Sequence, residues 1–195
     1  MNSNRLYFFN LIVTFLPPSR FYSLKSRLLR WCGASVGKNV QLFSPKILGN
    51  FNLIIGDNVW IGHDALIFGA KGSIITLEIY ANVASRAILA TGYHEYSIEY
   101  DNIAGPGKCG DIIVKQGALV GTNAIVVAHK TIGEKAHVAA GSVVTHDMPP
   151  MVRVAGVPAK IIKDFRVDSN IAKINCLSFM SKALYITLES ARHAA

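Results

Sequence analysis

The stretch VKQGALVGTNAIVVAHKTIGEKAHVAAGSVV, Val114 to Val144, repeats itself every six residues. Aliphatic side chains stand at Val114, Val120, Val126, Ile132, Val138 and Val144. A half-buried strand alternates every two residues and an amphipathic helix every three or four, so neither produces this period. A period of six held over that length marks a solenoid. Outward from this stretch, toward the N-terminus, the same spacing recurs at Leu77, Val83 and Leu89, at Ile55, Ile61 and Ile67, and at Val36, Leu42 and Leu48. Three hexads close one triangular turn, so the pattern predicts a mainly β protein, a parallel β-helix of about five coils between Val36 and Val144.

Position four after each aliphatic is often small, as at Ala65, Ala81, Ala87, Ala118, Ala124, Ala136 and Ser142. Small side chains suit a corner where the wall bends. Glycine follows the aliphatic at Gly37, Gly56, Gly62, Gly121 and Gly133, often with Asp or Asn next, and these are read as turn residues that tolerate positive φ. Two interruptions stand out. The shorter, between Ile67 and Leu77, reads as a bulge of the coil. The longer, 90–113, carries Thr91-Gly92-Tyr93-His94-Glu95-Tyr96 and the glycine-rich Gly105-Pro106-Gly107-Lys108-Cys109-Gly110. A long loop leaving a regular scaffold usually has a function.

Composition sets the outer bounds. With 195 residues, 51% hydrophobic and 16% charged, the chain supports one domain with a large core and is not disordered. Three scattered cysteines, Cys32, Cys109 and Cys176, offer no metal-ligand spacing and suggest a reducing, cytoplasmic compartment. A net charge of +8 favours anionic partners, whether nucleic acid, a membrane surface or a phosphorylated cofactor. The division expected is an N-terminal extension 1–33, a repeat domain 34–166 and a C-terminal extension 167–195. The apolar run Leu6 to Leu16 is too short to span a bilayer, and Pro17-Pro18-Ser19-Arg20 is a poor cleavage site for an export signal. Phe21, Leu24, Leu28 and Trp31, interleaved with Lys25, Arg27 and Arg30, predict a basic amphipathic helix. Its apolar face is expected to pack on the end of the solenoid, the alternative being peripheral contact with the inner face of a membrane. Ile171 to Ala191 reads as a helix over the other end or a frayed tail.

Trp60-Ile61-Gly62, TGYHEY at 91–96, Ala140-Gly141-Ser142-Val143-Val144-Thr145, Pro149-Pro150 and Ala155-Gly156-Val157-Pro158-Ala159-Lys160 together resemble the hexapeptide-repeat acyltransferases. Within that family the likeness is to surface-polysaccharide O-acetyltransferases of the colanic-acid type, over about residues 24–166. Hexads alone are shared with sugar-nucleotide enzymes and γ-class carbonic anhydrases, so the weight falls on the loop histidine and the two closing motifs. The resemblance implies a left-handed helix, a homotrimer with sites between subunits, acetyl-CoA as donor and a sugar hydroxyl as acceptor. No metal is expected, because His129 and His137 lack a third ligand at suitable spacing, and no nucleic-acid partner is expected.

Transfer from a thioester to a hydroxyl needs a base of near-neutral pKa, a task suited to histidine. His94 occupies the position of the family's catalytic histidine. Glu95 follows where the family has Asp, and is expected to orient the ring or else to be a solvated carboxylate. The family's cofactor contacts fall on Thr122, Ala140, Thr145 and His146, with Lys160 and Lys163 supplying charge to the phosphates. Arg166 could assist, or Lys160, Lys163 and Arg166 could form one solvated helix face. His146 replaces a commoner Lys, and Leu119 stands where the family has tryptophan. Cys109 as a nucleophile is a competing idea without a supporting motif. His63, His129 and His137 read as solenoid residues rather than ligands. Acetylation of a small amino acid or antibiotic, and a non-catalytic trimeric scaffold, are the alternative functions.

Overall fold

The structure is a computed structural model that describes residues 1–99 and 102–166. The expectations for 167–195, including Cys176, lie outside the described residues. Two helices come first, α1 (Ser3–Phe15) and α2 (Tyr22–Trp31). The first coil then follows as β1 (Ser35–Val36), β2 (Gln41–Leu42) and β3 (Lys46–Gly49), the second as β4 (Asn52–Ile55), β5 (Trp60–Ile61) and β6 (Leu66–Gly69). The third comprises β7 (Ile74–Leu77), β8 (Asn82–Val83) and β9 (Ile88–Ala90). An antiparallel hairpin, β10 (Gly92–Tyr96) and β11 (Ala104–Cys109), separates it from the fourth coil, β12 (Ile112–Val114), β13 (Leu119–Val120) and β14 (Ile125–Val126). The fifth is β15 (Lys130–Ile132), β16 (His137–Val138) and β17 (Val143–Val144), after which β18 (Val152–Ala155) begins a sixth turn and β19 (Lys160–Asp164) folds back on it.

Three parallel sheets form the faces. Face A stacks β1, β4, β7, β12 and β15; face B stacks β2, β5, β8, β13, β16 and β18, with β19 antiparallel at its end; face C stacks β3, β6, β9, β14 and β17. Each hexad aliphatic pairs with the one a full turn later, for example Ile61 with Val83 and Val120 with Val138. These side chains fill the interior, and Leu42, Ile61, Ile67, Leu77, Val83, Leu89, Val114, Val120 and Val126 are fully buried. The corner alanines are buried beside them, as the repeat predicted. Parallel strands bonded on both sides and packed inward leave the hydrophobic effect as the main cohesive force.

Three expectations need correction. Leu48 does not face inward: Ile47 is fully buried and Leu48 is 44% exposed. The corner between β2 and β3 is one residue shorter than those stacked on it, so Ile47 and not Leu48 pairs with Ile67, and a one-residue slip in a strand exchanges its two faces. The glycines after the aliphatics are not the positive-φ residues. Left-handed backbone falls two positions later, at Asn39, Asn58, Asp64, Tyr80, Arg86, Asn123 and Lys135. The glycines are required by close approach: a Cβ on Gly56 would lie 2.7 Å from the Ile79 nitrogen, and one on Gly121 2.6 Å from the Val138 oxygen. The third correction concerns α2. Phe21, Leu24 and Trp31 are exposed, and Lys25, Ser26 and Leu29 are the buried residues.

The helices close the open edge of the first coil by polar bonds as well as by packing. The Asn10 side chain donates to the Ile47 carbonyl at 2.7 Å and accepts from the Ile47 N–H at 3.1 Å, imitating the missing strand on face C. Arg30 donates to the carbonyls of Val36 at 2.9 Å and Gly37 at 2.8 Å. The buried Lys25 ammonium donates to Pro17, Pro18 and Leu42 carbonyls at 3.0, 2.8 and 3.1 Å, and burial lowers its pKa.

Candidate active site

The edge where face C turns into face A carries the connections that vary most in length: Asn50–Phe51, Ala70–Ser73, the hairpin, and Val127–His129. Stacking there lets one coil anchor the next. Thr91, fully buried, accepts from the Ala70 N–H at 2.8 Å and shares a 2.7 Å bond with the Ser73 hydroxyl. At the other foot of the hairpin the Gly110 N–H donates to the Thr91 carbonyl at 3.0 Å, and the Ile74 N–H donates to Asp111 at 2.8 Å. The predicted loop is therefore a clamped ribbon. Its strands diverge from the solenoid and carry exposed side chains.

His94 lies in β10 opposite Gly107, and its Nδ1 is 2.9 Å from the Gly105 carbonyl. A carbonyl only accepts, so Nδ1 carries a proton, and in the neutral ring the lone pair is on Nε2. That is the tautomer a general base needs. Beside the hairpin a cavity of about 640 Å³ is lined by His94, Tyr93, Phe68, Lys71, Lys108 and Cys109, among others. Tyr93 packs edge-on against His129, with ring centroids 5.7 Å apart and its hydroxyl 3.4 Å from Nε2.

Glu95 is on the ribbon beside His94, but successive strand residues point to opposite faces. Its carboxylate pairs with Lys108 at 3.7 Å. The group bonded to the His94 ring is the Gly105 carbonyl, while the Glu95 carboxylate, about half exposed, faces Lys108. Sequence reasoning missed Gly105 because a backbone acceptor has no side-chain signature; the Gly105-Pro106-Gly107 return strand was its only trace. Cys109 does reach the cavity, with its Sγ 3.5 Å from the Lys71 carbonyl.

The expected cofactor residues fall into three places. Thr122 and Ala140 occupy successive turns of the edge between faces B and C, where the Gly141 N–H donates to the Thr122 carbonyl at 2.9 Å. Thr145 and His146 sit on the opposite edge of face C, bonded to each other at 2.9 Å. Lys160 and Lys163 lie on β19, register partners of Ala155 and Arg153, so they stand on a strand and not on the helix face considered from spacing. Arg166 forks onto Asp164 and holds that carboxyl below the usual carboxylate range. The segment Gly156–Ala159 closes the end of face C, its Ala159 N–H donating to the Val143 carbonyl at 2.8 Å and its Gly156 carbonyl accepting from the Val143 N–H at 3.0 Å. Leu119 faces outward on face B between Asn82 and His137. Among the described residues no group of three His, Cys, Asp or Glu side chains is placed to hold a metal ion.

A triangular hexad coil with a histidine ribbon on one edge and a glycine-rich closing turn defines a class, and the chain belongs to the hexapeptide-repeat acyltransferases. It is 30% identical over 153 residues to WcaF of Escherichia coli K12, provisionally named as a colanic acid biosynthesis acetyltransferase, covering 78% of this chain and 80% of that one. A stretch of 56 residues, 29% of each protein, is 50% identical to the dTDP-3-amino-3,6-dideoxy-alpha-D-galactopyranose 3-N-acetyltransferase of Aneurinibacillus thermoaerophilus. Among solved structures, the hexapeptide-repeat acetyltransferase VCA0836 of Vibrio cholerae aligns with a TM-score of 0.68, covering 83% of this chain and 89% of its own at 21% identity. That protein has also been solved with acetyl-CoA. These neighbours are left-handed β-helices, and the chain shares that fold class. No protein-family profile matches the chain.

Proposed function

We propose that the protein transfers an acetyl group from acetyl-CoA to a hydroxyl of a sugar or sugar-containing acceptor in surface-polysaccharide biosynthesis, acting in the cytoplasm as a homotrimer. The observation that carries this reading is the His94 tautomer: Nδ1 is committed to Gly105, and Nε2 is left as the acceptor beside a cavity wide enough for a sugar. Kinship with WcaF supports the acceptor class.

In the proposed reaction Nε2 takes the hydroxyl proton as the oxygen attacks the thioester carbonyl, forming the C–O bond. The tetrahedral intermediate collapses with loss of the C–S bond, and the imidazolium returns the proton to the thiolate. Transfer is direct, without an acyl-enzyme. Thr122, Ala140, Thr145 and His146 flank face C, where the pantetheine arm would run, and Lys160 and Lys163 would meet the coenzyme's phosphates.

The test measures CoA thiol release against a panel of sugars, sugar nucleotides, amino acids and antibiotics. Turnover confined to sugar acceptors, giving an alkali-labile ester, is the expected result. No detectable acetyl-CoA binding by calorimetry would sink it. A second reading, N-acetylation of an amino sugar, is favoured by the stretch shared with the dTDP-amino-sugar enzyme. An alkali-stable amide product would establish that reading instead.

A further inference from the structure

Helix α1 is apolar on nearly all sides, and a helix of that kind is ordinarily enclosed. Here only one stripe is. Leu6, Phe9 and Val13 pack on the first coil, whereas Tyr7, Phe8, Leu11, Ile12 and Phe15 are 39 to 81% exposed. Beside them α2 presents Leu24 at 39% and Trp31 at 49% exposure, and Phe8, Ile12, Leu24, Leu28 and Trp31 line one shallow apolar groove with Arg27 at its rim. Such contiguous apolar surface, with aromatic rings beside charged groups, needs a second apolar phase. At 13 residues α1 is too short to cross a bilayer, and no described helix is long and apolar enough to do so.

The charges decide what that phase is. Residues 1–56 contain Arg5, Arg20, Lys25, Arg27, Arg30, Lys38 and Lys46, and no Asp or Glu. From the second coil Asp64 pairs with Lys46 at 4.0 Å and Asp57 accepts from the Lys38 N–H at 2.7 Å, so the surplus of positive charge lies on the helices. A second copy seated symmetrically on this face would bring like charges together, whereas an anionic surface complements them. A separate feature points to the same ligand chemistry. Between α2 and the first coil lies a cavity of about 670 Å³ lined by Ser23, Ser26, Arg27 and Lys38, among others. Ser26 is 5% exposed, and among the described residues its hydroxyl is the one buried side-chain polar atom without a partner.

We propose that the outer face of the α1–α2 hairpin is a membrane-docking surface that lies in the headgroup layer of an anionic phospholipid bilayer, with one lipid phosphate held in the cavity of Ser26, Arg27 and Lys38. Phe8, Phe15 and Trp31 enter the acyl boundary and the arginines remain with the phosphates. This docking stands independently of the transferase reading.

The test uses the full chain with vesicles of phosphatidylcholine, alone or with about three parts in ten phosphatidylglycerol. Co-sedimentation with the anionic vesicles is expected to fall at least about tenfold in the Phe8→Ser/Phe15→Ser variant, and similarly in Arg27→Glu. In a Trp60→Phe background the Trp31 emission is expected to shift to the blue on binding. Circular dichroism and sedimentation velocity check that each variant keeps its fold and mass. Absence of vesicle binding, or binding unchanged in both variants, overturns the proposal. So does a change of oligomeric mass in Phe8→Ser/Phe15→Ser without a change in vesicle binding, which would give the face to another copy. Complete release of bound vesicles by millimolar inorganic phosphate, at constant ionic strength, would overturn the lipid assignment of the cavity.

Discussion

Across the two strands of the hairpin the imidazole Nδ1 of His94 donates to the main-chain carbonyl of Gly105 at 2.9 Å, tying the proposed base to the return strand. The acceptor is part of the backbone, so its position depends on the shape of the hairpin. The feet of the hairpin, Thr91 and Asp111, are held in turn by the N–H groups of Ala70 and Ile74 on the preceding turn. Ring geometry is thus set by stacking of the solenoid rather than by an adjacent carboxylate.

Replacing His94 by Ala is expected to lower kcat by about 10² to 10⁴ while leaving acetyl-CoA affinity and the thermal midpoint near their starting values. Steady-state kinetics with calorimetry reads both. Near-normal turnover would remove His94 from the role of base.

A methyl group at Gly105 would meet the Glu95 carbonyl at 2.9 Å and the Ser97 Cβ at 3.1 Å. Gly105→Ala should open the ribbon locally, displace the acceptor of His94 and reduce kcat by about 10²-fold. The coils should keep their melting behaviour, measured by far-ultraviolet circular dichroism.

Cys109 shares the cavity with His94 but bonds the Lys71 carbonyl. Direct transfer requires no thiol, so Cys109→Ala is expected to retain kcat within about threefold. Loss of turnover together with an acetylated thiol found by mass spectrometry in the native chain would reverse the mechanism.

Core substitutions separate the two registers of the first coil. Ile47→Ala should cost about 2 to 5 kcal/mol and Leu48→Ala under about 1 kcal/mol, read from urea unfolding midpoints. Equal losses would contradict the burial of Ile47 and the exposure of Leu48.

Burial lowers the pKa of His137, and the neighbouring Arg153 lowers it further. The folded chain therefore binds this proton less readily than the unfolded chain. Stability from this site is complete above the unfolded value of 6.5 and is lost as pH falls from there through the lower folded pKa. Thermal midpoints measured between about pH 7 and 5 should fall less in His137→Gln than in the native chain.

Much of the fold was legible because a hexad aliphatic has one role where corners keep a constant length: Val120 and Val138 then fall on the same inward face in successive coils. Leu48 was misread because both Ile47 and Leu48 are apolar, so hydrophobicity alone could not say which one the short corner between β2 and β3 would turn inward. On α2 the spacing of Phe21, Leu24, Leu28 and Trp31 correctly predicted a helix but not which face would be covered. Lys25 is drawn inward by the Pro17, Pro18 and Leu42 carbonyls, an arrangement that composition does not reveal.

By itself the sequence determined the coil, its corners, the place where it is interrupted and the histidine within that interruption, because those depend on local spacing and on which residues can be buried. Only the tertiary structure decided that Gly105 fixes the imidazole, that Glu95 turns to Lys108 and that the N-terminal helices leave an apolar face uncovered. The first depends on a backbone carbonyl, a group that is the same at every position of a sequence, and the other two depend on which side chains the paired strands and packed helices bring together.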